Sequence, residues 1–200
     1  MENLARTADH LARLVQRRSE LETALDERFP SSTKITLELG CGHGHFLSAY
    51  AAGHRQDHFV GVDLIRDRVQ RAVRKRNRAK LDNLDFFLAE AFEFLAALPS
   101  RVALSNVFLL FPDPWPKRRH HKNRLLQSHL LDALSVRSSP ETRLYFRTDH
   151  VEYFEAAAAA INDHPAWQLA REPWPFELET VFQARAPSYR SLVASRVPVT

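Results

Sequence analysis

The stretch KITLELGCGHG, Lys34 to Gly44, decides the fold. Its first six residues read as a buried strand over 34 to 39, and three glycines at alternate positions follow where that strand must turn into a helix beginning near His43. Gly40, Gly42 and Gly44 allow tight backbone geometry and the close approach of a ligand. Asp63 lies 23 residues after Gly40, at the end of a second strand-like run, HFVGVD at 58 to 63. An acidic side chain there can take both ribose hydroxyls of a nucleoside cofactor.

Outward from this unit the same rhythm continues. A helix is predicted over about 64 to 80, a strand at 84 to 89, a short helix at about 91 to 97 and a strand at 102 to 111. A helix at about 120 to 134, a strand at 142 to 148 and an alanine-rich helix at 151 to 161 complete the series, with edge strands at 167 to 170 and within 176 to 183. Strands alternating with helices give an α/β, doubly wound, mostly parallel sheet. Leu4, Leu11, Leu14, Val15, Leu21 and Leu25 recur at helical spacing before the turn Phe29-Pro30-Ser31-Ser32, so an N-terminal amphipathic helix is predicted. The expected organisation is a helical extension over 1–30 and one domain over 31–200.

Hydrophobic residues make up 44% and charged residues 26% of the 200, a globular composition with enough apolar surface for one self-sufficient core. The lone cysteine, Cys41, cannot form an internal bridge, which fits a reducing compartment, and it reads as a small packing residue. The first twenty residues carry charge where a signal peptide would be apolar, and no apolar run approaches a bilayer-spanning length. A cytoplasmic protein without a membrane association is expected. The net charge of +4 is modest but unevenly placed. Arg66 to Lys80 holds eight basic residues against one acidic, and Lys117 to Arg124, KRRHHKNR, holds five basic residues and two histidines. The first run reads either as a solvated helix face or as RNA contact. The second, placed at a predicted helix N-terminus, opposes the macrodipole and so points to phosphate binding.

Glycines and Asp63 alone suit a nicotinamide dinucleotide or S-adenosylmethionine equally. Charge separates them. The predicted strand ends carry Glu38, Asp63, Glu90 and Asp113 in the crevice where such sheets bind ligands. Four carboxylates repel a pyrophosphate and suit the sulfonium and α-amino group of S-adenosylmethionine, whose own carboxylate the glycine-turn amides can meet. Glu90 has a second reading, as a helix cap, and His43 and His45 read as exposed or capping residues.

Residues 108 to 124, FLLFPDPWPKRRHHKNR, resemble the signature of the tRNA (guanine-N7) methyltransferase family, close to F-P-D-P-W-x-K-x-R-H-x-K-x-R. Glu38 to Gly44, Gly61 to Asp63, Thr148-Asp149 and Thr180 to Gln183 follow that family's order, so the likeness spans about 34 to 186. It implies a Rossmann-like class I methyltransferase fold with a seven-stranded sheet, S-adenosylmethionine as methyl donor without a metal, and tRNA as partner with no obligate protein partner. Glu38, Gly40, Gly42, Gly44, Asp63, Glu90 and Asp113 would hold the donor. Lys117, Arg119, His120, Lys122, Arg124, Asp149, Thr180, Phe182 and Gln183 would meet the tRNA, with Asp113 and Asp149 acting in catalysis. Trp115 either stacks on the target base or plugs the loop against the core.

Two departures stand out. Gln183 occupies the place of the family's usual glutamate, and an amide offers guanine's pairing edge one acceptor where a carboxylate offers two. Asp63 and Glu90 exchange length with the family's usual acids. A non-catalytic RNA-binding scaffold is the alternative that Gln183 supports, and methylation of an exocyclic amine in DNA is a third reading drawn from the Asp-Pro-aromatic element at 113 to 115.

Overall fold

A computed structural model describes residues 2–178 and 188–198, with side chains from residue 12 onward. Seven strands form one sheet in the order β3-β2-β1-β4-β5-β7-β6. β1 (Thr33–Leu39), β2 (His58–Asp63), β3 (Leu84–Leu88), β4 (Val102–Leu110) and β5 (Ser138–Thr148) run parallel, while β7 (Arg190–Arg196) is antiparallel to both β5 and β6 (Trp167–Ala170). The last five residues of β1 and of β2 are all buried, as central parallel strands covered on both faces require. Strand order reverses between β1 and β4, which opens a crevice at their carboxyl ends. Register brings those ends level: Glu38 pairs with Gly61 and Phe108, Asp63 with Leu88, and Leu110 with Arg147.

The helices fall on two faces. On one, α4 (Ala91–Ala97), α5 (Ser128–Ser135) and α6 (Val151–Asn162) bury Phe94, Leu130, Leu131, Leu134, Tyr153, Ala157 and Ile161. The predicted N-terminal helix is α1 (Glu2–Arg28), and its last turn belongs to this same core, because Leu25 and Phe29 are buried there. Full burial of each such side chain contributes about 1.5–3 kcal/mol. From residue 12 to residue 20 the helix is almost wholly exposed. On the opposite face α2 (His45–Gly53) and α3 (Arg66–Arg78) cover the first three strands. Trp174, Phe176 and Leu178, in a segment without regular secondary structure, pack on Phe46, Tyr50, Phe108 and Tyr145 beyond them, with Phe176 stacked on Tyr50 at 4.9 Å.

Three expectations are corrected. Residues 176–178, where an edge strand was predicted, form no strand, and the seventh strand is Arg190–Arg196. β5 begins at Ser138 rather than 142, its extra residues pairing with β4 through a register shift. The predicted helix over 120 to 134 is two pieces, a 3-10 helix Arg118–Asn123 and α5 from Ser128, separated where Arg124 turns inward.

Candidate active site

Glu38 is the last but one residue of β1 and only 4% exposed, with Oε2 buried and without a hydrogen-bond partner. Burial first, and then the Asp63 carboxylate, push its pKa well above the ordinary carboxylate value, while Lys75 pulls in the other direction. An orphaned buried carboxylate oxygen is costly unless a cation completes it. Around it the turn is tied down. The amides of Gly40 and Cys41 both donate to Val62 O, Gly42 N donates to Asp63 Oδ2 at 2.9 Å, and Lys75 Nζ reaches from α3 to donate to His43 O at 2.9 Å.

The three glycines, all at positive φ, do different work. A Cβ on Gly40 or Gly42 would meet nothing within 4 Å, so the turn presents bare backbone to open space there. A Cβ on Gly44 would lie 2.5 Å from Phe86 Cζ and 2.9 Å from Ala72 Cβ, so this glycine lets α2 and α3 close on β3 and is tied to packing rather than to ligand approach. Cys41 is buried beside Gly61, and burial together with Glu38 and Asp63 raises its thiol pKa well above the ordinary value, as befits an inert packing group. His43 is half-buried and His45 exposed, their rings edge to face at 6.2 Å.

Asp63 is 6% exposed, and each oxygen accepts a backbone amide, Oδ2 from Gly42 and Oδ1 from Ile65 at 2.8 Å. Arg68 Nη1 of α3 stands 3.8 Å from Oδ2, and Oδ1 keeps a lone pair for another donor. Of the two readings of Glu90 the cap is the observed one: Oε2 accepts from Phe92 N at 2.8 Å and Glu93 N at 3.1 Å, opening α4. Leu64, Ile65 and Leu88 stand exposed at the same carboxyl ends, an apolar fringe beside the acids that the sequence did not single out.

Asp113 sits beyond β4, exposed, on a loop in which Phe111 and Trp115 hold φ of 50° and 46°. Two side-chain-bearing residues in the left-handed region cost about 1–3 kcal/mol each and persist only where their surroundings hold them. Pro112 and Pro114 fix φ beside Asp113, and Phe111 N donates to Arg147 O at 2.8 Å. Trp115 is 36% exposed and stacks on His120 at 5.8 Å, so it does not plug the core. Asp149 is exposed just beyond β5, between Thr148 and His150, which caps α6 by accepting from Tyr153 N.

Lys117, Arg118, Arg119 and Lys122 are exposed and form no ion pair with any described residue, whereas Arg119 Nε donates to His120 Nε2. Because they lie on a short 3-10 helix, the macrodipole argument for them lapses, and their exposure without acidic partners carries the case for phosphate contact instead. Arg124 is a correction. It is 3% exposed, donates from Nε to Pro114 O at 2.8 Å and lies over the Tyr153 ring, out of reach of a surface phosphate. On α3, Arg71 pairs with Asp67 and Arg76 with Asp85, while Arg66, Arg74 and Arg78 form no ion pair with described residues.

Lys75 and Arg147 are the groups that sequence reading missed. Arg147, buried on β5, donates to both oxygens of Glu177 and to Ser191 and lies against the rings of Trp174 and Tyr189, so it pins the 174–178 segment beside the Asp113 and Asp149 loops. Helical spacing could have found Lys75, which follows buried Ala72 by three residues, whereas nothing local marks Arg147. Thr180, Phe182 and Gln183 lie outside the described residues.

The strand order, the acidic crevice and the glycine turn define a class I methyltransferase. Solved structures share the fold: an rRNA methylase from Streptococcus thermophilus, 12% identical, superposes with a TM-score of 0.56 over 91% of this chain and 95% of that one. An antibiotic-related methyltransferase, 17% identical, gives 0.58 over 89% and 94%. A family model described as "Putative methyltransferase" matches residues 32–184. The chain belongs to the tRNA (guanine-N(7)-)-methyltransferase family. It is 36% identical over 170 residues to the member from Prochlorococcus marinus, spanning 77% of this chain and 72% of that one, and 33% identical over 166 residues to the member from Alkalilimnicola ehrlichii, 80% and 70%. It spans only 57% of the length of the relative from Magnetococcus marinus, at 33% identity over 72% of its own. Among the described residues no helix is long and apolar enough to cross a membrane.

Proposed function

We propose that this chain transfers a methyl group from S-adenosylmethionine to N7 of a guanine in tRNA, in the variable loop by analogy with the family. The carrying observation is the unpartnered Glu38 Oε2, buried at the mouth of an open glycine turn, which a cationic donor would complete. When bound, the donor supplies an electrophilic methyl on a sulfonium. Glu38 would face its positive end, Gly40 and Gly42 would let its methionine moiety lie against bare backbone, and the free lone pair of Asp63 Oδ1 would take the ribose. Glu90, its Oε2 occupied by the cap, would have Oε1 for the adenine edge, beside Ile65 and Leu88. The clustered carboxylates fit a cation and exclude a pyrophosphate.

Guanine N7 carries an in-plane lone pair and no proton. That lone pair would accept the methyl group, the donor leaving as a neutral thioether and the positive charge passing to the imidazole ring of the base. No general base is required. Asp113 and Asp149, on adjacent loops, would face that developing charge, and alignment of the two reactants would supply much of the acceleration. Lys117, Arg119, His120 and Lys122 would hold the tRNA backbone, with Thr180, Phe182 and Gln183 reading the base. Such an enzyme works where tRNA is, in the cytoplasm.

Incubation with methyl-labelled S-adenosylmethionine and bulk tRNA, followed by base-specific cleavage to map the product, tests the reading. A single labelled 7-methylguanosine is the expected result. Label at an exocyclic amine, in DNA, or nowhere would overturn it.

A further inference from the structure

We propose that Arg124 is a positioning residue, which locks the Asp113 loop to the first turn of α6 so that the two loop carboxylates keep one register during methyl transfer. Its Nε donates to Pro114 O, one residue beyond Asp113, at 2.8 Å. Its Nη2 donates to His121 Nε2 at 3.1 Å, and its guanidinium lies 5.0 Å from the centre of the Tyr153 ring. Glu152, half-open to solvent, is the nearest carboxylate and stands 3.9 Å away. A buried cation is thus held by a carbonyl, an imidazole and a ring rather than by a close ion pair. Such an arrangement adds little to stability over an apolar filler, and it makes sense as a device that fixes one geometry.

Both ends of the lock lead to the reacting region. Pro114 lies between Asp113 and Trp115, whose left-handed backbone needs an external hold. Tyr153 accepts Leu126 N through its hydroxyl and gives its own amide to His150, the residue after Asp149. The Arg124 carbonyl accepts the Gln127 side chain, which closes the same corner from the α5 side. One guanidinium therefore spans the loops beyond β4 and β5.

This inference rests on the proposed methyl transfer, and the experiment separates the two. R124M and R124K would be compared with the parent for kcat and KM on tRNA at several salt concentrations, for donor affinity by calorimetry, and for loop order by ¹⁹F NMR of 5-fluorotryptophan protein, with Trp115 assigned through W115F. In R124M a loosened loop should lower kcat about a hundredfold, the order of loss that misplacement by about 1 Å produces. KM for tRNA, its salt slope and donor affinity should hold, and the Trp115 resonance should broaden. R124K, keeping charge and one donor, should recover part of kcat. A raised KM with a shallower salt slope and kcat intact would make Arg124 an RNA contact and overturn the proposal, as would an unchanged kcat with a sharp Trp115 signal. Should R124M not fold, R124K decides on the same readouts, with kcat equal to the parent counting against. Absence of methyl transfer in the parent would sink the function but leave the Trp115 signal to judge the lock.

Discussion

Asp63 and Gly42 are joined by a hydrogen bond of 2.9 Å from the glycine amide to Oδ2, so the acid at the end of β2 holds the turn at the end of β1 before any ligand arrives. The other oxygen holds Ile65 N in the same way. Asp63→Asn keeps the shape but places an N–H₂ opposite one of these amides, leaving a donor facing a donor. A loss of about 1–3 kcal/mol in stability is expected from the unsatisfied amide, accompanied by a weaker donor affinity. Thermal melting and calorimetry on the same preparation check both, and an Asn variant with parental affinity would remove Asp63 from the donor site.

Glu38 makes stability and binding pull in opposite directions. Its raised pKa means that the folded protein holds a proton there which the unfolded chain gives up near pH 4.5. The associated stabilisation is full below that pH and is lost as pH rises through the folded value. Glu38→Gln should therefore melt higher than the parent at neutral pH while binding S-adenosylmethionine more weakly. Donor binding by the parent should strengthen as pH rises and release a proton. His45, an exposed ring whose pKa is lowered by partial desolvation first and then by Lys75 and His43, adds in the same direction when it loses its charge. Calorimetry in buffers of different ionisation enthalpy separates the two, because Glu38→Gln should abolish only the carboxylate's share.

The glycine turn, the first four strands and the second half of the fifth were legible because each is dictated locally. Parallel central strands are continuous apolar runs, and a backbone at φ of 54° to 77° over three alternate residues demands glycine. β7 was not legible: RSLVASR gains its strand character from lying between β5 and β6, a tertiary fact. Arg124 shows the same limit at the site. Within KRRHHKNR one cation looks like another, and what buries this one is a carbonyl ten residues before it and a tyrosine ring 29 residues after it. Glu90 kept both readings because capping and ligand contact call for the same residue at the same place.

Gly42→Ala and Gly44→Ala should differ although both residues have positive φ. Left-handed alanine costs about 1–2 kcal/mol at either position. At Gly44 the new methyl also meets the Phe86 ring, and overpacking adds about 1–3 kcal/mol. Gly42→Ala, opening on empty space, should lose donor affinity in excess of its stability loss. Phe86→Leu in the Gly44→Ala background should return part of the melting temperature, since the two sites share one contact. Additive losses in that double mutant would contradict the packing role assigned to Gly44.

Lys117, Arg119 and Lys122 are exposed cations without acidic partners among the described residues, which leaves them available to phosphate. Each phosphate neutralised releases condensed counterion, so the logarithm of RNA affinity falls with the logarithm of salt in proportion to the contacts made. Replacing all three by glutamine should make that slope shallower by about 2–3 and weaken tRNA binding most at low salt. Melting temperature and donor affinity should stay near the parental values, because none of the three ties the fold together. Arg66→Gln with Arg74→Gln provides the comparison on α3, where both cations are exposed and form no ion pair with a described residue. If the slope stayed parental in the triple variant and became shallower in the α3 pair, the RNA track would run along α3 and the loop beyond β4 would be left to the reacting base alone.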